Sequence, residues 1–87
     1  MILSFSLVTP AGVAAQEDVL IVTASTPSGQ IQVLPGHCGY VGLLNEGDLQ
    51  VVTSANGKTK TFSISEGSIE CQDGKVVILT DWVRGLS

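Results

Sequence analysis

Apolar and polar residues alternate through most of this chain, in short runs that break about every ten residues at Gly, Pro, Asn or Asp. An apolar period of 3.6 residues persists nowhere, so the pattern is that of strands. The run Leu3-Ser4-Phe5-Ser6-Leu7 has period 2 and predicts a first strand over Ile2 to Val8. A turn follows at Thr9-Pro10-Ala11-Gly12, then a short return over Val13 to Gln16. Asp18 to Ala24 contains Val19-Leu20-Ile21-Val22 and is predicted as a central strand, apolar on both sides. Beyond the loop Ser25 to Ser28 come strands over Gly29 to Val33 and Tyr40 to Leu44, joined by the corner Leu34-Pro35-Gly36-His37. Proline fixes φ and glycine admits angles that other residues avoid, so this corner is a rigid turn suited to presenting a side chain.

Two hairpins complete the pattern. Leu49 to Ser54 and Lys58 to Ser65 flank Asn56-Gly57, a pair that tolerates the positive φ of a type I′ turn. In the second of these strands Phe62 and Ile64 should face the core, and Thr61, Ser63 and Ser65 the solvent. Asp73-Gly74 joins Ser68 to Cys71 with Lys75 to Thr80. The expected fold is all-β, a β-sandwich or flattened barrel of about ten strands in a single domain over residues 1–87.

Composition narrows the function. The chain is 44% hydrophobic but 5% aromatic, so its core is built from Val, Ile, Leu and Ala, which argues against an aromatic-lined ligand pocket. A net charge of −4, with no Lys or Arg before Lys58, removes the electrostatic drive for binding nucleic acid or an anionic membrane surface. No apolar run reaches the roughly 20 residues that span a bilayer, so no direct membrane insertion is expected. Met1 to Ala15 lacks a basic start and is broken at Thr9-Pro10, so it reads better as a strand and turn than as a secretory signal.

Candidate chemistry is sparse. Cys38 and Cys71 lack the paired spacing of a zinc site and read as free thiols, Cys71 as a small core residue. His37 and Cys38 are neighbours in extended backbone and point apart, so they make a poor nucleophile–base dyad, and His37 is expected to be a surface contact or to stabilise the turn. The acidic residues are scattered over turns and strand ends, as in Glu17-Asp18 and Glu46-Gly47-Asp48, no phosphate-binding loop is present, and no catalytic residue, metal or cofactor is expected. Tyr40 and Trp82 fit core or interface equally well.

Taken together, Leu7-Val8-Thr9-Pro10, the corner Leu34 to His37, Glu46-Gly47-Asp48-Leu49-Gln50-Val51, Ser65-Glu66-Gly67-Ser68-Ile69-Glu70-Cys71 and Lys75 to Asp81 resemble the ε subunit of F-type ATP synthases. The likeness runs from Leu3 to Gly85. It implies a ten-stranded β-sandwich at the foot of the central stalk, a non-catalytic rotor part that links the γ subunit to the polar loops of the c-ring. The same likeness implies that ion translocation is coupled to ATP synthesis on the cytoplasmic or equivalent face of the membrane. By the family's pattern Ser28 to Gln32, with Gln30 and Gln32, and His37 lie near the c-ring or γ. Cys38, Gly39, Tyr40, Val41, Gly42 and Leu43 contribute to the γ contact.

The chain departs from the pattern in three places: Gln30 where the family carries an acid, Cys38-Gly39 in place of Ala-Pro after the histidine, and Glu66-Gly67 in place of a double glycine. It stops at Ser87, before the pair of helices that many ε subunits add. A naturally short form and an N-terminal domain taken alone both fit, and the first implies coupling without ε-type autoinhibition. The rival readings are a free-standing β-sandwich that binds a peptide or glycan, disfavoured by the shortage of aromatic platforms, and a cysteine hydrolase.

Overall fold

A computed structural model describes residues 2–36 and 39–85. Within them lie nine strands: β1 (Leu3–Thr9), β2 (Gly12–Thr26), β3 (Gly29–Val33), β4 (Tyr40–Leu44), β5 (Gly47–Thr53), β6 (Thr59–Ile64), β7 (Gly67–Gln72), β8 (Lys75–Thr80) and β9 (Val83–Gly85). They are hydrogen-bonded in the order β4-β7-β8-β1-β2-β5-β6-β9, with β3 also paired to β2. Every pairing is antiparallel except β1 with β8, which is parallel. The sheet folds over itself, so that β4, β7, β8, β1 and the first half of β2 form one layer and β3, the second half of β2, β5, β6 and β9 the other. Phe5 of the first layer meets Phe62 of the second with ring centroids 6.5 Å apart. Between the layers lies a core of Leu, Val, Ile, Phe, Ala and Cys71 side chains. The expected all-β sandwich is the observed fold.

β2 belongs to both layers, and its sequence shows how. Rich in small residues at its start and β-branched later, it reads as two strands, but the backbone runs unbroken for 15 residues. Val19 faces the core and so does Val22, three positions on, because the register shifts between Val19 and Ile21. This bulge moves the inward side chains from odd to even positions. The apolar run Val19 to Val22 therefore marks a change of face, and the strand is not apolar on both sides along its length. Where the layers diverge, Lys60 Nζ lies 3.0 Å from Glu17 Oε2 and ties β6 to β2.

The turns follow side-chain chemistry. In Thr9-Pro10-Ala11-Gly12 and again in Thr26-Pro27-Ser28-Gly29 the threonine hydroxyl donates to the glycine carbonyl, at 3.3 and 2.6 Å, and accepts the amide two residues on, at 3.2 Å in both. The same device closes each turn, with proline setting the first corner residue. The Asn-Gly pair behaves differently from expectation. Four residues, 54–57, connect β5 and β6 once the Thr53–Lys58 backbone bond is counted. Only Gly57 has positive φ there, at 68°. Asn56 instead accepts through Oδ1 from the Lys58 amide and the Thr53 hydroxyl, so its side chain builds the loop and its backbone stays in the ordinary region. The two-residue type I′ turn is at Asp73-Gly74, where φ is 53° and 76° and Gln72 pairs with Lys75.

Ser65 also departs from expectation. It is buried, and its Oγ accepts the amides of Asp81 at 2.8 Å and Trp82 at 3.3 Å while its own amide bonds Trp82 O at 3.2 Å. These bonds bend the chain between β8 and β9 back onto β6. Ser65→Ala strips both amides of their acceptor, and about 1–3 kcal/mol of destabilisation is expected. A chemical denaturation curve followed by Trp82 fluorescence measures it, and an unchanged midpoint would contradict the assignment.

Candidate docking surface

The nine residues expected to bind partners do not share one surface. Gln30 and Gln32 are exposed on β3 and point out of the second layer, away from the core face on which Val33 is buried. Val41 and Leu43 point out of the first layer, 75% and 68% exposed. Tyr40 and Gly42 alternate with them on the other side of the strand, where Tyr40 stays 39% exposed at the strand's start. The tyrosine ring lies along the strand over Gly42, where a Cβ would meet Tyr40 Oη at 2.6 Å, so the aromatic covers the gap that the glycine leaves in this edge strand. Gly39 is exposed beside the strand, and His37 and Cys38 lie outside the described residues.

Register extends the Val41–Leu43 face across the whole layer. Leu43 pairs with Ser68, Ser68 with Leu79, Leu79 with Val8, and Val8 with Val13. The neighbouring row runs Val41, Glu70, Val77 and Ser6. Leu79 and Val13 are 51% and 61% exposed. Cross-strand partners share a face, so Val41, Leu43, Val77, Leu79, Val8 and Val13 lie on one largely apolar surface interrupted by Ser68 and Glu70, a feature that marks contact sites on soluble domains. Its acids sit close by: Glu66 and Asp81 flank the groove lined by Leu43 and Leu79, and Glu70 lies within the face between Val41 and Val77. Val8, Val13, Val77 and Leu79 were missed by sequence reasoning. Their signal is the apolar residue at an outward position of an alternating strand, readable only once the register is known.

Other chemistry is absent from the described residues. They hold no group of three or more His, Cys, Asp or Glu fit for a metal ion, and no helix long and apolar enough to cross a membrane. Trp82 is 37% exposed and carries the Arg84 guanidinium 5.1 Å above its ring, so that face is no open platform for a sugar. Cys71 is buried, as expected, and burial pushes its thiol above the ordinary value because the thiolate loses its solvation. The neutral thiol is therefore favoured in the fold: stability is unaffected below the ordinary thiol range and falls as pH rises through it. Alkylation of Cys71 at pH 8 is expected to be at least about a hundredfold slower in the native domain than in denaturant, which mass spectrometry after timed labelling measures.

Known proteins share this fold. Residues 2–84 match the family described as the ATP synthase, Delta/Epsilon chain, beta-sandwich domain. The chain belongs to that family. It is 35% identical over 80 residues to the ATP synthase epsilon chain of Wolinella succinogenes, covering 92% of this chain and 60% of the relative. It is 34% identical over 79 residues to that of Carboxydothermus hydrogenoformans, covering 91% and 58%. This delta/epsilon-type chain thus spans about three fifths of the length of these relatives. A chain in the cryo-EM structure of the Euglena gracilis mitochondrial ATP synthase with its c-ring superposes with a TM-score of 0.89 at 30% identity, over 97% of this chain and 53% of that one. A chain from the Tetrahymena thermophila central stalk and c-ring shares the fold, with a TM-score of 0.74 at 19% identity over 93% and 64%.

Proposed function

We propose that this delta/epsilon-type domain is a non-catalytic rotor part of an F-type ATP synthase, joining the γ subunit to the c-ring so that ion flow and nucleotide chemistry stay coupled. The observation that carries the reading is the apolar face of β4, β7, β8 and β1, with acids beside it, on a two-layer sheet of the delta/epsilon family. Rotary coupling calls for stiffness and broad contact, which a two-layer sheet supplies without a reactive side chain. In this reading Val41 and Leu43, with Gly39, Tyr40, Gly42 and Cys38, serve the γ contact. Gln30 and Gln32, on the other layer, and His37 serve the c-ring loops or γ. The division of the residues between layers fits a part held by two partners at once.

Co-elution with purified γ on size exclusion tests it, alongside the Gln30→Ala, His37→Ala, Tyr40→Ala triple variant. A complex is expected with the wild-type chain. Failure of that chain to bind γ, where a longer epsilon chain binds it under the same conditions, would overturn the reading.

A further inference from the structure

β4 ends the strand order and is paired along one side only, with β7. Such an edge carries unsatisfied backbone groups, and proteins blunt it with charge, proline or a bulge. Tyr40–Leu44 has none of these: it reads Tyr-Val-Gly-Leu-Leu, and its register with β7 is unbroken from Tyr40↔Cys71 to Leu44↔Gly67. The direction of its free groups follows from one bond. Asn45, just past the strand, donates its amide to Ser25 O of β2 at 2.9 Å, away from β7. Amide direction alternates along a strand, so Leu43 and Val41 present their N–H and C=O to that same side, which β2 meets at Asn45 and along which no strand pairs with Val41 or Leu43. These are also the two residues whose side chains are most exposed on the apolar face.

We propose that the γ-type partner engages this domain by adding a strand to the open edge of β4, through an extended segment with apolar residues at alternate positions and Lys or Arg at its flanks. The proposal rests on the rotor reading above. Alternation is required because an added strand continues the outer surface, where Val41 and Leu43 set the apolar row. Basic flanks are required by charge. Glu66, Glu70 and Asp81 lie on or beside the face near β4, and Lys75, at the far end of β8, is the one cation among the outward residues of β7 and β8. Main-chain bonds at the edge give the segment its grip, and the side-chain row gives it register.

Hydrogen exchange on this chain with and without purified γ tests the mode of binding. The Val41 and Leu43 amides are expected to slow by at least about tenfold in the complex, the signature of new main-chain bonds. Val41→Pro removes an amide that serves no internal pairing, so the domain should keep its melting temperature yet bind γ at least about tenfold more weakly, while Val41→Thr, which keeps the amide, binds nearly as wild type. A complex whose Val41 and Leu43 amides exchange as in the free domain overturns strand addition and leaves the rotor reading standing, as does Val41→Pro binding with wild-type affinity. Should Val41→Pro fail to fold, the wild-type exchange pattern decides alone. No complex with γ at all overturns the rotor reading and this inference with it. Protection of the same amides that appears without γ and grows with domain concentration identifies a second copy as the occupant, and equally overturns it.

Discussion

Replacing Gly67 with alanine is expected to cost more stability than any other single methyl added to this domain. Gly67 opens β7 between Leu44 of β4 and Thr80 of β8. A Cβ there would lie 2.0 Å from the Leu79 carbonyl oxygen and 3.0 Å from its carbon. The obstacle is backbone inside a hydrogen-bonded ladder, so relief means moving β8 or breaking its pairing with β7, and no rotamer change helps. Overpacking of this kind costs roughly 3 kcal/mol or more. For a chain of this size that lowers the melting temperature by roughly 12–24 °C. Gly85→Ala is the control, because nothing lies within 4 Å of its added Cβ, and less than about 0.5 kcal/mol is expected. Thermal melts of both variants by circular dichroism decide the point: a fall below about 4 °C for Gly67→Ala would mean that the sheet accommodates the methyl.

The opposite result is expected for Leu43→Asp combined with Leu79→Asp. Both side chains are largely exposed, so little apolar burial is lost and stability should change by less than about 1 kcal/mol, mostly from strand propensity. Association with γ is expected to fall at least about a hundredfold, about 2.7 kcal/mol, because two carboxylates would then be desolvated at the centre of the contact, next to Glu66 and Asp81. Titration of γ with the wild-type and double-variant domains gives both affinities. An unchanged affinity with an intact fold would move the γ contact off this face. Because loss of the fold and loss of the face are read by different instruments, the Gly67 and Leu43/Leu79 variants separate architecture from docking.

The strands were legible because period-2 alternation reports burial directly: Leu3, Phe5 and Leu7 are all buried, and Leu79 and Val77 alternate with buried Val76 and Ile78. Asp73-Gly74 was legible because a two-residue turn leaves the backbone no alternative to positive φ. Asn56-Gly57 misled because the same residues also serve longer loops, where the asparagine amide oxygen does the bonding. The bulge in β2 hid behind a uniformly apolar run, in which a change of face leaves no polar residue out of place. Ser65 was placed in solvent by alternation, but the strand ends at Ile64 and the hydroxyl turns in to receive two amides. The proposed docking face was half visible. Val41 and Leu43 follow from the family's motif, whereas Leu79, Val8 and Val13 join them through pairings that cross most of the chain.

β2 has a mechanical meaning beyond its place in the sheet. One unbroken strand carries β3, with Gln30 and Gln32, at one end and Val13, at the margin of the apolar face, at the other. A force applied to one outer surface therefore reaches the other along covalent backbone. The ladders that β2 shares with β1, β3 and β5 run parallel to that force and resist it as many bonds loaded together in shear, so no single bond has to yield first. The compliant points of this beam are its two register breaks, at Ala14 opposite β1 and near Leu20 opposite β5, and at the second of these the two halves of the sandwich would begin to twist against each other under load.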